Sequence, residues 1–402
     1  MRVQFTTRRA EYAEFAALFF LHALAMATWF VPLSTVLAAH GLQAIRPLAF
    51  ATTGLAAFVS PLIFGAMADR HAPPTAVLRW LGIATAGAVA LATTAIKLGW
   101  PPWLVLALIQ LHSLCAAPTW SISSTIVLSR LQDAKRQFGP IRALATLGWA
   151  AGCWLVSVLN ADASPLAGYS SAVAWLGLAG FTYWLPVVEP PKAAGRVTLR
   201  QRLGLDALTL LKNRDHRVVF LTAALFAIPL AAFYPYTPPQ LQELGFTHTT
   251  AWMTLGQTTE VIAMFSLAWL FGRWRLKWIF AAGLGFGLVR FAMSALNGQA
   301  WLLASITLHG CAFTLFFITA QIYLDQRVEA AWRARAQALM TLMMSGFGNL
   351  LGYLGSGAWF AACAGTTGPR WSLFWGGLAG IIAVVLTYFL VAYRGQAARH
   401  GE

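Results

Sequence analysis

The chain has 402 residues, of which 58% are hydrophobic and only 10% are charged, and its mean hydropathy is +0.64. Because ordinary soluble domains carry about 25% charged residues, this composition excludes a soluble globular protein and predicts a membrane protein. The net charge of +15 is spread over short segments between apolar runs. We therefore expect the basic surface to meet anionic lipid head groups and not nucleic acid.

Apolar runs of about 20 residues, the length that spans a bilayer, recur along the whole chain. They predict twelve transmembrane helices, near residues 14–38, 47–68, 77–98, 101–127, 140–160, 168–188, 218–239, 250–271, 278–296, 300–323, 337–361 and 371–393. The longest hydrophilic stretch, 189–217, contains leucines that predict a short amphipathic helix on the membrane surface. We therefore predict an all-α membrane protein with two six-helix bundles, residues 1–188 and 218–402, joined by a cytoplasmic linker over 189–217.

The distribution of basic residues sets the predicted orientation. With both termini placed in the cytoplasm, only Arg46, Lys97 and Arg370 of the 28 lysines and arginines fall in outer loops. Positive residues accumulate in the cytoplasmic loops of membrane proteins. We therefore predict a multi-pass protein of the cell membrane, the inner membrane in a bacterium, with both termini in the cytoplasm.

The loop after the second run carries a recognisable motif, Gly65-Ala-Met-Ala-Asp69-Arg70. It resembles the signature of the major facilitator superfamily, in which a glycine precedes an aspartate and an arginine. A glycine permits helices to approach closely. The resemblance implies that Asp69 and Arg70 act in gating, by pairing across cytoplasmic helix ends and separating when the two halves rock. The alternative is an ordinary turn.

One acidic residue, Glu260, lies well inside a predicted span, whereas the other acids fall at helix ends, in loops or in tails. A charge at mid-bilayer costs roughly 3 kcal/mol, so such a residue normally faces a cavity or a partner. An apolar environment favours the neutral carboxyl group, so Glu260 can take up a proton. Gln257 lies on the same helical face and adds an amide suited to hydroxyls or a nucleobase edge. The alternative is a structural carboxylate paired with an arginine.

Two arginines also fall inside predicted spans. Arg142, with Thr146 one turn later, could fix a substrate or hold Glu260, or it could reach back to the cytoplasmic surface by snorkelling. Arg290 is expected to be structural.

Three histidines lie within spans: His22, His112 and His309. A lone histidine in a helix is usually a hydrogen-bonded core residue. His309 has the best functional case, because Phe313 lies one turn away and histidine titrates in the range that proton coupling needs. The cysteines are predicted to be small core residues, and we expect no disulfide, metal site or cofactor.

Several short segments occur in the order found in one known family. They are Pro140-Ile-Arg142-Ala-Leu-Ala-Thr146, Gln257-Thr-Thr-Glu260, Arg290-Phe-Ala, Gly310-Cys-Ala-Phe313 and Arg335-Ala-Gln-Ala. Through them the chain resembles the nucleoside–proton symporters of the major facilitator superfamily over most of its length. The resemblance implies a nucleoside site lined by Arg142, Thr146, Gln257, Glu260 and Phe313, with Phe313 stacked against the base.

The chain departs from the family pattern at four positions. A glutamine and an asparagine of the family align with Leu230 and Phe233, a tyrosine becomes His309, and an acidic residue implicated in proton coupling becomes Thr314. We keep His309 and Thr314 as candidate substrate-binding residues. Either Glu260 or His309 then takes over the role of the missing acidic residue in proton coupling, or transport is less tightly coupled to protons than in the family.

The sequence thus predicts a monomeric importer that moves a nucleoside with a proton by alternating access. The alternative is a major facilitator transporter for another small polar solute (a sugar, a nucleotide-derived metabolite or a small peptide) with weaker proton coupling. An enzyme is not expected, because the chain has no His-Glu-x-x-His or Gly-x-Gly-Asp motif. A channel would need polar residues repeated along several helices, and this pattern is absent.

Overall fold

The structure, a computed structural model, describes residues 9–68, 73–131, 134–186, 188, 198, 205–366 and 368–396. The chain divides into two compact units. The N-terminal unit contains Met1–Arg196 and a short connector, His248–Ala251. The C-terminal unit contains Val197–Thr247 and Trp252–Glu402.

The N-terminal unit is built from helices. They are α1 (Arg9–Phe30), α2 (Leu33–Ala39), a 3-10 turn (Gln43–Ile45), α3 (Arg46–Ala68), α4 (Pro74–Lys97), α5 (Pro102–Ala116), α6 (Thr119–Leu128), α7 (Ala134–Val158) and α8 (Leu166–Phe181). The breaks before α2 and α6 lie at Pro32 and Pro118, where proline lacks the N–H that a continuous helix requires. Helix α7 approaches α1 closely, since a Cβ added to Gly152 would lie 2.7 Å from the carbonyl oxygen of Leu24.

The C-terminal unit is also largely helical. Its elements are a 3-10 helix (Leu205–Lys212), α9 (Arg214–Leu230), α10 (Phe233–Glu243), α11 (Thr249–Trp252, mostly in the connector), α12 (Leu255–Arg273), α13 (Leu276–Ala295), α14 (Gln299–Phe313), a π-helical segment (Thr314–Ile318), α15 (Thr319–Arg327), α16 (Ala330–Thr341), a second π-helical segment (Leu342–Gly348), α17 (Asn349–Ala362), β1 (Ala364–Gly365), β2 (Gly368–Pro369) and α18 (Trp371–Ala392). The two short strands pair antiparallel, with Ala364 opposite Pro369.

Small residues bring α9 and α17 together. A Cβ added to Gly348 would lie 2.7 Å from the Cβ of Ala227, and one added to Gly352 would lie 2.6 Å from the Cβ of Ala231. Small side chains let helix backbones approach in this way. Beside this contact, the core of the unit is rich in buried aromatic rings, among them Phe226, Phe280, Phe291, Phe316, Tyr323 and Trp375.

Each of the twelve predicted apolar runs overlaps a helix of the structure. Among the described residues, eight helical segments are long and apolar enough to cross a membrane. They are Glu11–Ala39, Pro74–Lys97, Pro102–Leu128, Gln137–Val158, Arg214–Glu243, Leu276–Ala295, Gln299–Arg327 and Trp371–Ala392. Helix α8 is apolar but shorter. The prediction of a helical membrane protein is confirmed.

The connector His248–Ala251 is held by hydrogen bonds within the N-terminal unit. The carboxylate of Asp162 accepts from the backbone N–H of Thr250 at 2.7 Å and from the hydroxyl of Ser157 at 2.9 Å. The same hydroxyl oxygen accepts from the N–H of Ala251 at 3.0 Å, and Nδ1 of His248 lies 3.0 Å from the carbonyl oxygen of Ser157. Asp162 is buried, so its carboxylate fixes the start of α11.

We expect Asp162→Ala to destabilise the protein by about 1–3 kcal/mol, because buried donors that lose their acceptor keep their desolvation cost. Thermal unfolding of the purified protein measures this as a lower Tm. Asp325→Ala is the control, because Asp325 is exposed and its ion pair with Arg333 spans 3.9 Å, a type worth about 0–1 kcal/mol. Equal Tm values for the two variants would contradict this role of Asp162.

Candidate functional site

In the C-terminal unit, α12 carries Gln257 and Glu260 one turn apart. Gln257 is buried, and its side-chain carbonyl oxygen has no hydrogen-bond partner among the described residues. Glu260 is half-buried. A buried acceptor without a donor costs about 1–3 kcal/mol, so the Gln257 carbonyl is suited to accept a hydrogen bond from a ligand.

Close packing of α14 positions this turn of α12. A Cβ added to Gly310 would overlap the backbone N of Glu260 and the carbonyl oxygen of Gly256. The hydroxyl of Thr259 donates to the carbonyl oxygen of Thr307. Only glycine allows an approach this close, so Gly310 fixes the position of Glu260 against α14.

His309 lies in an aromatic stack on α14. Its ring is near-parallel to Phe233, with centroids 4.2 Å apart, and to Phe313, at 6.3 Å. Nδ1 of His309 contacts Nη1 of Arg290, which is fully buried with its guanidinium carbon 4.3 Å from the centroid of Phe233. Because a guanidinium only donates, Nδ1 is the acceptor and the ring proton lies on Nε2. Nδ1 therefore has no free lone pair for an incoming proton while this contact persists.

Phe313 and Thr314 lie where α14 changes to a π-helix. Phe313 is the last residue of α14 and is half-buried, whereas Thr314 begins the π-helical segment and is fully buried. The hydroxyl of Thr314 is 3.5 Å from the carbonyl oxygen of Glu260. The structure therefore brings Gln257, Glu260, His309, Phe313 and Thr314 together on α12, α14 and the start of the π-helical segment. Single π-turns inside α-helices occur frequently at functional sites.

In the N-terminal unit, α7 carries Arg142 and Thr146 one turn apart. The side chain of Arg142 is exposed and that of Thr146 is half-buried. The guanidinium carbon of Arg142 lies 5.1 Å from the ring centroid of Trp120, within the range of a cation–π interaction.

The N-terminal unit also contains a cavity of about 130 Å³, which we call the His112 cavity. Its polar lining groups are His112, Ser113 and Thr53, and its aromatic walls are Trp29, Phe30 and Trp120. His112 is 8% exposed, and neither of its ring nitrogens has a partner within the described part of the chain. A buried nitrogen without a hydrogen-bond partner costs about 1–3 kcal/mol of stability.

His22 behaves as the sequence predicts for a core histidine. Its ring nitrogens lie 2.8 Å from the hydroxyl of Thr119 and 3.2 Å from that of Ser123. The same expectation is wrong for His112, whose ring is buried in the described structure without such partners. Both residues lie in apolar spans, and no feature of the sequence distinguishes them.

Asp69 and Arg70 lie outside the described residues. Within the described residues, no group of three or more His, Cys, Asp or Glu side chains could hold a metal ion.

Long apolar helices, one of which carries the half-buried Glu260, are typical of a membrane transporter. The chain belongs to the nucleoside–proton symporter family: the family model described as "Nucleoside H+ symporter" matches residues 12–398. The YegT protein of Escherichia coli (strain K12), whose name assigns it to nucleoside transport, is 32% identical over 95% of this chain and 93% of its own. The nucleoside permease NupG of the same organism is 25% identical over 87% of each chain.

The fold agrees with a solved structure of this kind. A crystal structure of the nucleoside transporter NupG superposes with a TM-score of 0.86 at 24% identity, and the match covers 95% of this chain and 100% of that one. The predicted family, transport activity, non-enzymatic function and membrane localisation are therefore confirmed. The chain is a multi-pass proton-coupled nucleoside importer of the cell membrane, which in bacteria is the inner membrane.

Proposed function

We propose that the nucleoside is bound by Gln257, Glu260 and Phe313 of the C-terminal unit and by Arg142 and Thr146 of the N-terminal unit. The observation that carries this proposal is the turn of α12 held against α14, where the buried carbonyl oxygen of Gln257 has no partner in the described structure. Phe313 supplies an aromatic face for the base one turn from His309. His309 and Thr314 complete this surface.

Glu260 is the proton-coupling residue in this proposal. It is half-buried on the same turn as Gln257, so protonation and substrate binding act on adjacent groups. His309 is the second candidate. Its Nδ1 faces Arg290, which leaves Nε2–H free to donate to the substrate, so we assign His309 mainly to binding.

We propose an N-terminal six-helix bundle over 1–188, a cytoplasmic linker over 189–217 and a C-terminal six-helix bundle over 218–402. The chain then crosses the membrane twelve times, with both termini in the cytoplasm. The two halves alternate access to the substrate, Asp69 and Arg70 act in gating, and the protein works as a monomer. Reporter fusions at each terminus and after each predicted span test this topology. If a reporter at either terminus is found outside the cytoplasm, the proposed topology is refuted.

A thermal-shift screen of nucleosides, sugars and small peptides tests the binding assignment, because a ligand that binds only the folded protein raises its Tm. We expect stabilisation by nucleosides in the wild type, and a reduced shift in Gln257→Leu. A sugar or a peptide that stabilises the protein where no nucleoside does would replace the nucleoside assignment.

Phe313→Ala tests the stacking role. Stacking of a base on an aromatic side chain is worth about 1–3 kcal/mol, so we expect nucleoside affinity to fall by roughly tenfold. Phe313→Tyr retains the ring and should retain affinity. Calorimetric titration measures both, and unchanged affinity in Phe313→Ala would exclude stacking on this residue.

A further inference from the structure

The His112 cavity offers hydrogen-bonding groups that the proposed function has not yet used. A neutral imidazole presents one donor and one acceptor. His112 is 8% exposed, lines the cavity, and has no partner for either nitrogen among the described residues. A hydroxyl group both donates and accepts, so a ligand hydroxyl can bond either nitrogen.

The other polar groups of the cavity present acceptors. The hydroxyl of Thr52, just outside the lining, donates to the carbonyl oxygen of Ala49 at 2.6 Å. The hydroxyl of Ser113, 2.8 Å from that of Thr52, therefore donates to Thr52 and keeps a lone pair free. Thr53 donates to the carbonyl oxygen of Phe50 at 2.7 Å and likewise keeps a lone pair. The cavity thus requires a ligand that supplies several donors.

The residues that line the cavity suit a small, uncharged ligand group. None of the described residues that line it is Asp, Glu, Lys or Arg. Its volume of about 130 Å³ limits the ligand group that it holds to a small one. The ring of Trp29 lies 5.9 Å from that of His112, and such apolar surroundings strengthen a hydrogen bond made at the imidazole.

The cavity adjoins a residue of the proposed nucleoside site. Trp120 lines the cavity and also carries the guanidinium group of Arg142 over its ring.

We propose that the His112 cavity binds the ribose of the transported nucleoside and that His112 determines specificity for its hydroxyl groups. This inference rests on the proposed function, because it takes a nucleoside as the ligand. A ring already paired within the protein, such as that of His22, could not make these bonds.

The test compares uridine with 2′,3′-dideoxyuridine by calorimetric titration of the purified protein. We expect the wild type to prefer uridine by about tenfold, because the dideoxy compound leaves buried groups unpaired. In His112→Phe the preference should largely disappear, with the affinity for dideoxyuridine unchanged. His112→Gln keeps one donor and one acceptor and should retain most of the preference.

His40→Phe is the matched control, because His40 is a half-buried histidine of the same unit that does not line the cavity. Its preference for uridine should equal that of the wild type. If His112→Phe does not fold, His112→Met gives the same comparison. A preference that survives removal of the imidazole would overturn the inference while leaving the proposed function intact. Failure of the wild type to bind any nucleoside would instead refute the proposed function.

Discussion

Glu260→Gln abolishes proton-driven nucleoside accumulation but preserves nucleoside exchange, if Glu260 carries the coupled proton. The amide keeps the shape and hydrogen-bonding capacity of the carboxyl group but cannot take up or release a proton. Purified protein in liposomes separates the two activities. With an inward proton gradient, we expect uptake by the variant to fall to the level of protein-free vesicles. In counterflow without a gradient, we expect labelled nucleoside to enter.

The control for this experiment is Glu329→Gln, the same chemical change at an exposed residue that precedes α16 and makes no side-chain capping hydrogen bond. It should transport like the wild type in both assays. Gradient-driven accumulation by Glu260→Gln at the wild-type rate would remove Glu260 from the coupling step. His309→Gln would then be the next variant to test, since its effect on accumulation should exceed its effect on counterflow.

Gly310→Ala is expected to lower both the stability and the nucleoside affinity of the protein. A methyl group there would overlap the backbone of Glu260 and Gly256, and backbone cannot move aside as a flexible side chain can. Overpacking of this kind costs about 1–3 kcal/mol or more, which exceeds the gain of about 1 kcal/mol from replacing a helical glycine with alanine. Because α12 must shift, Gln257 and Glu260 move with it and the ligand loses its partners.

Gly285→Ala is the matched control for the packing effect. Gly285 lies inside α13, and an added Cβ would meet nothing within 4 Å in the described structure. We expect its Tm to equal or slightly exceed that of the wild type, since only the gain in helix propensity applies. If both glycine variants unfold at the same temperature, the close approach of α12 and α14 is not needed for stability.

The sequence predicts the helices well because membrane spans are set by apolar length, a local property. The spacing of Gln257 and Glu260 likewise predicts one shared face of α12, since residues three apart are helical neighbours.

Partners that lie far apart in the chain are not predictable in this way. His22 is paired by residues 97 and 101 positions away, whereas His112 lies in an equally apolar helix and has no such partner in the described structure. The contact of Arg290 with His309 depends on how α13 packs against α14. Only the packed structure distinguishes a paired histidine from one available to a ligand.

The two π-helical segments, Thr314–Ile318 and Leu342–Gly348, affect which residues of this chain correspond to those of a protein with a regular helix at the same place. A π-turn bonds residue i to i+5, so it holds one more residue than an α-turn. Because successive residues are about 100° apart around an α-helix, a helical wheel drawn straight through either segment rotates every later side chain onto the wrong face. Against a relative with an uninterrupted α-helix there, a one-residue gap inside the helix restores the correspondence.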